Sequence, residues 1–300
     1  MPHIRNVLSL FDGISCGRIA LDRAGVAFDK YYSSEIDNRC IEVANHNYPD
    51  TVQIGDVNNW RDWDLKDIDL IMGGSPCQGF SSGGKELGFA DPRSRLFFIY
   101  VDILKHYEPK FFLLENVVMK PEWVAIITDI MGVEPVLINS NKVTPQNRKR
   151  LYWSNLPIDQ PEQVEYSLKS IVTDSINRPA SIIGRRLNER GKRDDYNKLL
   201  PITQCLQVRA DLNVMPCLTT VTKDTVLTTL PHGRYVDCYA SLEKGVDWRY
   251  LTPIECERLQ TIPDDFTITM SNSARHKACG NGWTVDVIAH ILSKIHKWVA

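Results

Sequence analysis

Residues 6–25 read NVLSLFDGISCGRIALDRAG, and the pattern changes twice within them. NVLSLF is a short apolar run of the kind a buried strand needs, GRIALDRAG has the spacing of a helix, and FDGISCG between them is a tight turn. The alternation repeats downstream. KYYSSEID and DLIMGGSP read as strands, CIEVANHNY and RLFFIYVDILKHY as helices, then KFFLLENV as a strand and WVAIITDIM as a helix. Repeated strand–helix units predict an α/β fold whose mostly parallel sheet is covered by helices on both faces. Ligands of such sheets bind beyond the carboxyl ends of the strands. The polar strand ends here are Phe11-Asp12-Gly13, Glu35, Asp56, Pro76-Cys77 and Glu115-Asn116, which the fold should gather along one edge.

The rest of the chain bounds what this edge can serve. With 300 residues, 43% hydrophobic and 24% charged, there is material for one large core and a smaller satellite. A formal charge of −2 excludes a uniformly basic nucleic-acid coat, so an anionic partner has to be met by a local patch. Eight cysteines with no C-x-x-C pair fit reduced thiols in a cytoplasmic setting. The N-terminus lacks a secretion pattern, and the longest apolar stretch, LFFIYVDIL, is too short for a bilayer and carries Asp102. The strand–helix pattern stops after RLYWSNLP. The expected division is a first catalytic part at residues 1–158, a small irregular domain at 159–247, and a second catalytic part at 248–300. In the last part Val285, Ile288, Ile291, Leu292 and Ile295 share one apolar helix face that would fold back onto the first part. Arg185 and Arg186 lie in a stretch of the middle segment rich in basic residues, which reads as a basic surface or as an ordinary solvated loop.

Several strand-end residues carry chemistry. FDGISCG stands where parallel sheets bind nucleotide-like cofactors but lacks the G-x-G-x-x-G spacing of a dinucleotide site. Glu35 can accept from both hydroxyls of a ribose, and Asp56 can face an adenine amino group. A ribose and an adenine without phosphate-binding glycines favour S-adenosylmethionine over NAD. Cys77 opens the loop in GGSPCQGFSSGG, and a thiol near a strand end and helix N-termini, lowered from its usual pKa of about 8.5, is a covalent nucleophile. Taken alone it reads more readily as a partly buried, inert cysteine than as a nucleophile. In QNRKRLYW, alternation along a strand would put Gln146, Arg148 and Arg150 on one face, toward a base carbonyl or a phosphate.

Taken in order, FDGISCG, SSEID, GDV, GGSPCQGFS, LLENVV, QNRKRLYW, LTPIECERLQTIPDDF and GNGWTVDV resemble the motifs of the DNA (cytosine-5)-methyltransferases. The resemblance covers roughly residues 6–155 and 249–300, and RLFFIYVDIL, ENVV and the tryptophan of GNGWTV are similar to the vertebrate de novo enzymes. It implies a Rossmann-like S-adenosylmethionine-dependent methyltransferase fold, with a mixed, mostly parallel sheet and a small inserted target-recognition domain. It also implies methyl transfer from S-adenosylmethionine to carbon 5 of a cytosine flipped out of double-stranded DNA. Cys77 would attack ring carbon 6, protonated Glu115, its pKa raised by enclosure, would relieve charge at ring nitrogen 3, and Arg148, with Arg150 beside it, would hold the base carbonyl. The implied cofactor residues are Phe11, Asp12, Gly13, Ile14 and Cys16, then Glu35, Ile36 and Asp37, then Asp56, Val57 and Leu96, and finally Asn281 and Trp283. The implied DNA contacts are Gln78, Ser81, Ser82, Lys85 and Arg93 of the loop after Cys77, with Gln146, Arg185 and Arg186. No metal is implied. Two residues depart from the family pattern: Cys16 stands where glycine or threonine is common, and Gly282 where serine is usual.

A bacterial or phage-infected cytoplasm, close to the nucleoid, fits this reading, with a second copy of the chain or a host restriction endonuclease as further partners. Rival readings are a transfer-RNA methyltransferase of the same fold, an inert methyltransferase-like subunit, and a zinc-dependent cytosine deaminase. The deaminase pattern fails because Phe80 fills the second cysteine position of P-C-x-x-C and no H-x-E lies upstream. An inert subunit should have lost Cys77, Glu115 or the arginines, and all are present.

Overall fold

The computed structural model describes residues 3–76, 95–172, 174–175, 178–190, 194–209, 213–230, 235–237 and 247–298. Cys77, Gln78, Ser81, Ser82, Lys85 and Arg93 lie outside the described residues.

The opening stretch forms β1 (His3–Leu10), α1 (Cys16–Ala24) and β2 (Ala27–Ser34). Gly25 ends α1 in the left-handed region and returns its N–H to the carbonyls of Leu21 and Asp22, the closure a glycine makes at low cost. There follow α2 (Asn38–Asn47), β3 (Val52–Gln53), β4 (Ile68–Gly73), α3 (Arg95–Tyr107), β5 (Phe111–Val117), α4 (Pro121–Met131), β6 (Val136–Asn139) and β7 (Lys149–Ser154). The seven strands form one sheet in the order β3-β2-β1-β4-β5-β7-β6. The first five in that order pair in parallel, whereas β7 is antiparallel to both neighbours. The chain leaves β1 toward one edge and returns on its other side as β4, which creates a crevice at the carboxyl ends. Because β7 runs backwards, its first residues arrive at that same edge: Arg150 pairs with Val117 and Tyr152 with Glu115.

Burial follows from this order. Every residue of central β4 is buried, as a strand covered on both faces requires. One face packs under residues including Ile19, Leu21, Val285 and Ile288, the other under residues including Phe97, Tyr100, Ile103 and Ile127. After α5 (Pro253–Leu259) and α6 (Asn272–Asn281), the last helix, α7 (Val285–Leu292), packs along α1, and Arg23 pairs with Asp286 across the joint at 2.6 Å. The five apolar residues expected on one face near the C-terminus are all fully buried.

A second, antiparallel sheet has the order β11-β9-β8-β10-β12. Its strands are β8 (Arg178–Arg185), β9 (Thr203–Val208), β10 (Val226–Thr228), β11 (Tyr235–Asp237) and β12 (Trp248–Tyr250). Ala180, Ile182, Leu206, Val208, Val226 and Leu230 form its own small core. The sheet therefore starts later and ends later than the expected span of 159–247. Leu168, Ile171 and Val172 belong to the core of the first body, and the Tyr166 hydroxyl bonds the Asn141 carbonyl at 2.6 Å. Residues 159–172 looked like insert because a segment draped over a core shows neither strand nor helix periodicity. Among the described residues no helix is long and apolar enough to cross a membrane.

Candidate active site

A cleft of about 400 Å³ opens at the carboxyl edge beside the β1–β4 crevice, and every residue expected to hold the cofactor borders it. Its floor is the first turn, where Phe11, Gly13 and Ser15 all have φ near +57°, at 56°, 58° and 58°. Two of these are not glycine, a strain of order 1–3 kcal/mol each that the surroundings must hold. Asp12 holds it. Its carboxylate accepts from Ser9 and Ser15 at 2.5 Å each, from Tyr31 at 2.7 Å and from Ser33 at 2.9 Å. Burial pushes this carboxyl up, four hydroxyls pull it down, and the net direction is upward. Asp12 was expected to face the cofactor; instead its oxygens are spent on hydroxyls of β1, the turn and β2.

The other acidic residues are preset differently. Glu35 accepts backbone N–H bonds from Gly13 at 2.8 Å, Ile36 at 2.7 Å and Asp37 at 2.8 Å, which fixes its carboxylate at the end of β2. Asp37 caps α2 and pairs with Arg39, whose hydrogen bonds hold its carboxyl below the usual range. Asp56 receives the backbone and side-chain N–H of Asn58 on one oxygen, at 2.9 and 2.8 Å. Phe11, Ile14, Val57 and Leu96 supply apolar wall, and Ile36, 71% exposed, stands at the lip. Burial pushes the Cys16 thiol up to about 12. A Cβ on Gly282 would lie 3.1 Å from the Cys16 sulfur, so the two departures from the family pattern fill one another's space.

At the inner end of the cleft Glu115 meets Arg150 and Trp283. Arg150 Nε lies 2.9 Å from one carboxylate oxygen, and Trp283 Nε1 donates to the other at 3.1 Å. The expected partner Arg148 is placed elsewhere. It borders the cleft, but its guanidinium donates to the carbonyls of Leu218 at 3.0 Å, Gly280 at 3.3 Å and Gly282 at 2.8 Å. Gln146 is fully buried: its amide donates to the Leu259 carbonyl at 2.8 Å and accepts from the Leu218 N–H at 2.8 Å. It has no face left for DNA. Strand alternation was the wrong guide because β7 begins only at Lys149, leaving Gln146 and Arg148 in irregular chain.

This edge joins a nucleoside-sized cleft to a carboxylate–guanidinium pair, and a family model described as C-5 cytosine-specific DNA methylase matches residues 5–177 and 219–297 of the chain. The chain belongs to the C-5 cytosine-specific DNA methylase family. The gap between the two matched segments contains β8 and β9 of the second sheet. The orphan methyltransferase M.SPRI of Bacillus phage SPR is 37% identical over 175 residues, 54% of this chain and 40% of that protein. The type II methyltransferase M1.ScrFI of Lactococcus lactis subsp. cremoris is 28% identical over 96% of this chain and 77% of its own length. The chain spans about two fifths of the length of the first phage relatives it matches, 40% and 42%. The Entamoeba histolytica methyltransferase EhMeth shares the fold, with a TM-score of 0.68 at 16% identity and 99% of both chains covered.

Of the other residues in the cleft, Asn116 was legible as a polar strand end, whereas Ser75, Cys40, Asn58 and Lys277 gave no sequence signal. Asn116 donates to Ser75 at 3.2 Å, joining the ends of β5 and β4 behind the cleft, and Cys40, Asn58 and Lys277 border it. They come from elements that only the sheet order brings together. In the second sheet Arg185 lies 3.6 Å from Asp195, and Arg186 Nε donates to the Leu200 carbonyl at 3.0 Å. Both arginines therefore brace the turn at 194–200.

Proposed function

We propose that this chain transfers a methyl group from S-adenosylmethionine to carbon 5 of a cytosine in double-stranded DNA. The observation that carries the proposal is the Glu115–Arg150 pair at the inner end of the cleft. A carboxyl group beside a planar cation matches ring nitrogen 3, the exocyclic amine and the carbonyl of cytosine. The cleft suits the cofactor by its donor set: the preset Glu35 carboxylate for a ribose diol, the second oxygen of Asp56 for an amino group, and Phe11, Ile36, Val57 and Leu96 for an adenine ring. When bound, the cofactor supplies an electrophilic methyl on a sulfonium.

The remaining chemistry falls to this chain. Carbon 5 of cytosine is a poor nucleophile, so in this proposal the Cys77 thiolate first adds to carbon 6, while Glu115 shares a proton with ring nitrogen 3. Arg150 holds the base carbonyl, the role first expected of Arg148, whose guanidinium is committed to three backbone carbonyls. After methylation, loss of the carbon 5 proton to a base and elimination of the Cys77 sulfur restore the ring. The base must leave the duplex at a cost of a few kcal/mol. Gln78, Ser81, Ser82, Lys85 and Arg93 are assigned to the DNA backbone, and the second sheet, with Arg185 and Arg186, to target recognition. A cytoplasmic protein working at the nucleoid follows from the substrate.

The test is incubation with S-adenosylmethionine and duplex DNA followed by bisulfite sequencing, beside Cys77→Ala. The expected result is one modified sequence context with wild type and none with the variant. Wild type that modifies no context, or Cys77→Ala that keeps full activity, refutes the proposal, and preference for transfer RNA in competition moves it to the RNA branch.

A further inference from the structure

Lining a cofactor cleft makes no demand on the indole nitrogen of Trp283, yet Nε1 donates to Glu115 at 3.1 Å across a sequence separation of 168 residues. The opposite oxygen of the same carboxylate takes Arg150 Nε at 2.9 Å. We propose that Trp283 is a positioning residue for the catalytic carboxyl group, holding Glu115 in the orientation that meets the base and tying the cofactor wall to the acid on the base side. This inference rests on the function proposed above.

Several features of the packing serve this one hydrogen bond. A Cβ on Gly74 would fall 2.8 Å from the Glu115 oxygen and 3.0 Å from Trp283 Nε1, so only glycine at the end of β4 leaves room for the contact. Trp283 is itself held through its neighbour in the chain. The next residue, Thr284, is fastened to Ser140 and Gln260 at 2.8 Å each. Glu115 rides on a rigid strand, so its mobile part is the side chain alone. Two donors on separate oxygens fix both the rotamer and the plane of the carboxylate, a degree of preorganisation that one ion pair does not supply. Arg150 alone would leave the group free to swing about the shared bond. The indole also stands in the cofactor wall, so a shift of that wall is transmitted to the acid.

The experiment has one readout that needs no methyl transfer. In 15N-labelled protein the Trp283 indole resonance, assigned by its loss in Trp283→Phe, is expected to shift and to exchange faster with solvent in Glu115→Ala. In methyl transfer to duplex DNA, Trp283→Phe is expected to lose about ten- to a hundredfold in kcat, with the Kd for S-adenosylhomocysteine kept within about threefold by calorimetry. Gly74→Ala leaves both partners intact and should reproduce the pattern, which keeps the test open if the change at 283 unfolds the protein. An indole resonance indifferent to Glu115→Ala overturns the inference. So does a Trp283→Phe protein with unchanged kcat, or one whose loss lies wholly in cofactor affinity. If the resonance depends on Glu115 but wild type methylates no duplex, the proposed function falls and the positioning contact stands.

Discussion

Arg148→Ala separates a clamp from a substrate ligand. The guanidinium is buried, and its three acceptors come from distant places: Leu218 on the approach to the second sheet, Gly280 in α6, and Gly282 in the turn before Trp283. Removing it strips charged donors from three carbonyls in a dry site, each bond worth about 1.5–3 kcal/mol. These values do not simply add, because the buried cation carries its own desolvation cost, which also pushes the Arg148 pKa down. The net expectation is about 3–5 kcal/mol, because three buried carbonyls lose their donors at about 1–3 kcal/mol each while the cation's desolvation cost is relieved. For a 300-residue chain that is a fall in Tm of roughly 5–8 °C by calorimetry. Arg150→Ala should differ: Glu115 keeps its Trp283 donor, so Tm should fall less than in Arg148→Ala, and methyl transfer should drop by about a hundredfold or more. The reverse pattern, with Arg148→Ala melting within about 2 °C of wild type while losing methyl transfer a thousandfold, would show that Arg148 serves the base and that the clamp is incidental.

Gly280→Ala puts a Cβ 2.2 Å from the Thr219 carbonyl oxygen, a backbone atom with no side-chain rotation to relieve it. About 3 kcal/mol of lost stability in urea is expected, and a neutral result would mean that α6 and the segment leading into β10 are not locked together there. Gly282→Ser should crowd the Cys16 sulfur and lower S-adenosylhomocysteine affinity by about tenfold, and adding Cys16→Gly should restore it; losses that merely add would break the proposed coupling. Asp12 tests the sign of a buried charge. Its folded pKa lies above the unfolded value, so its stabilising contribution is fully present below the ordinary carboxylate pKa of about 3.9 and is lost as pH rises through the folded value. The stability of Asp12→Asn relative to wild type should therefore rise between acid and neutral pH in urea titrations, and a flat difference counts against a raised Asp12 pKa in the folded protein.

The sequence by itself determined which elements form and which residues end them. Burial periodicity is local, so β1, β2, β4, β5 and α1 to α4 were legible, whereas the two-residue β3 was not, and Glu35, Asp56 and Glu115, read as strand ends, had to meet once the sheet was parallel. The four-residue β6 carries too little pattern to be seen, and the direction of β7 has no local signature, although that direction brings Arg150 to Glu115. Only the tertiary structure decided how the polar side chains are spent. Arg148 and its acceptors Gly280 and Gly282 are 132 and 134 residues apart, and Trp283 and Glu115 are 168 apart. Asp12 has the right residue type and spacing for a ligand contact, yet it serves four hydroxyls from β1, the turn and β2. The physical reason is that a hydrogen bond depends on distance and direction in space, which sheet order and close packing set, whereas spacing along the chain constrains only neighbours within one strand or one helix turn.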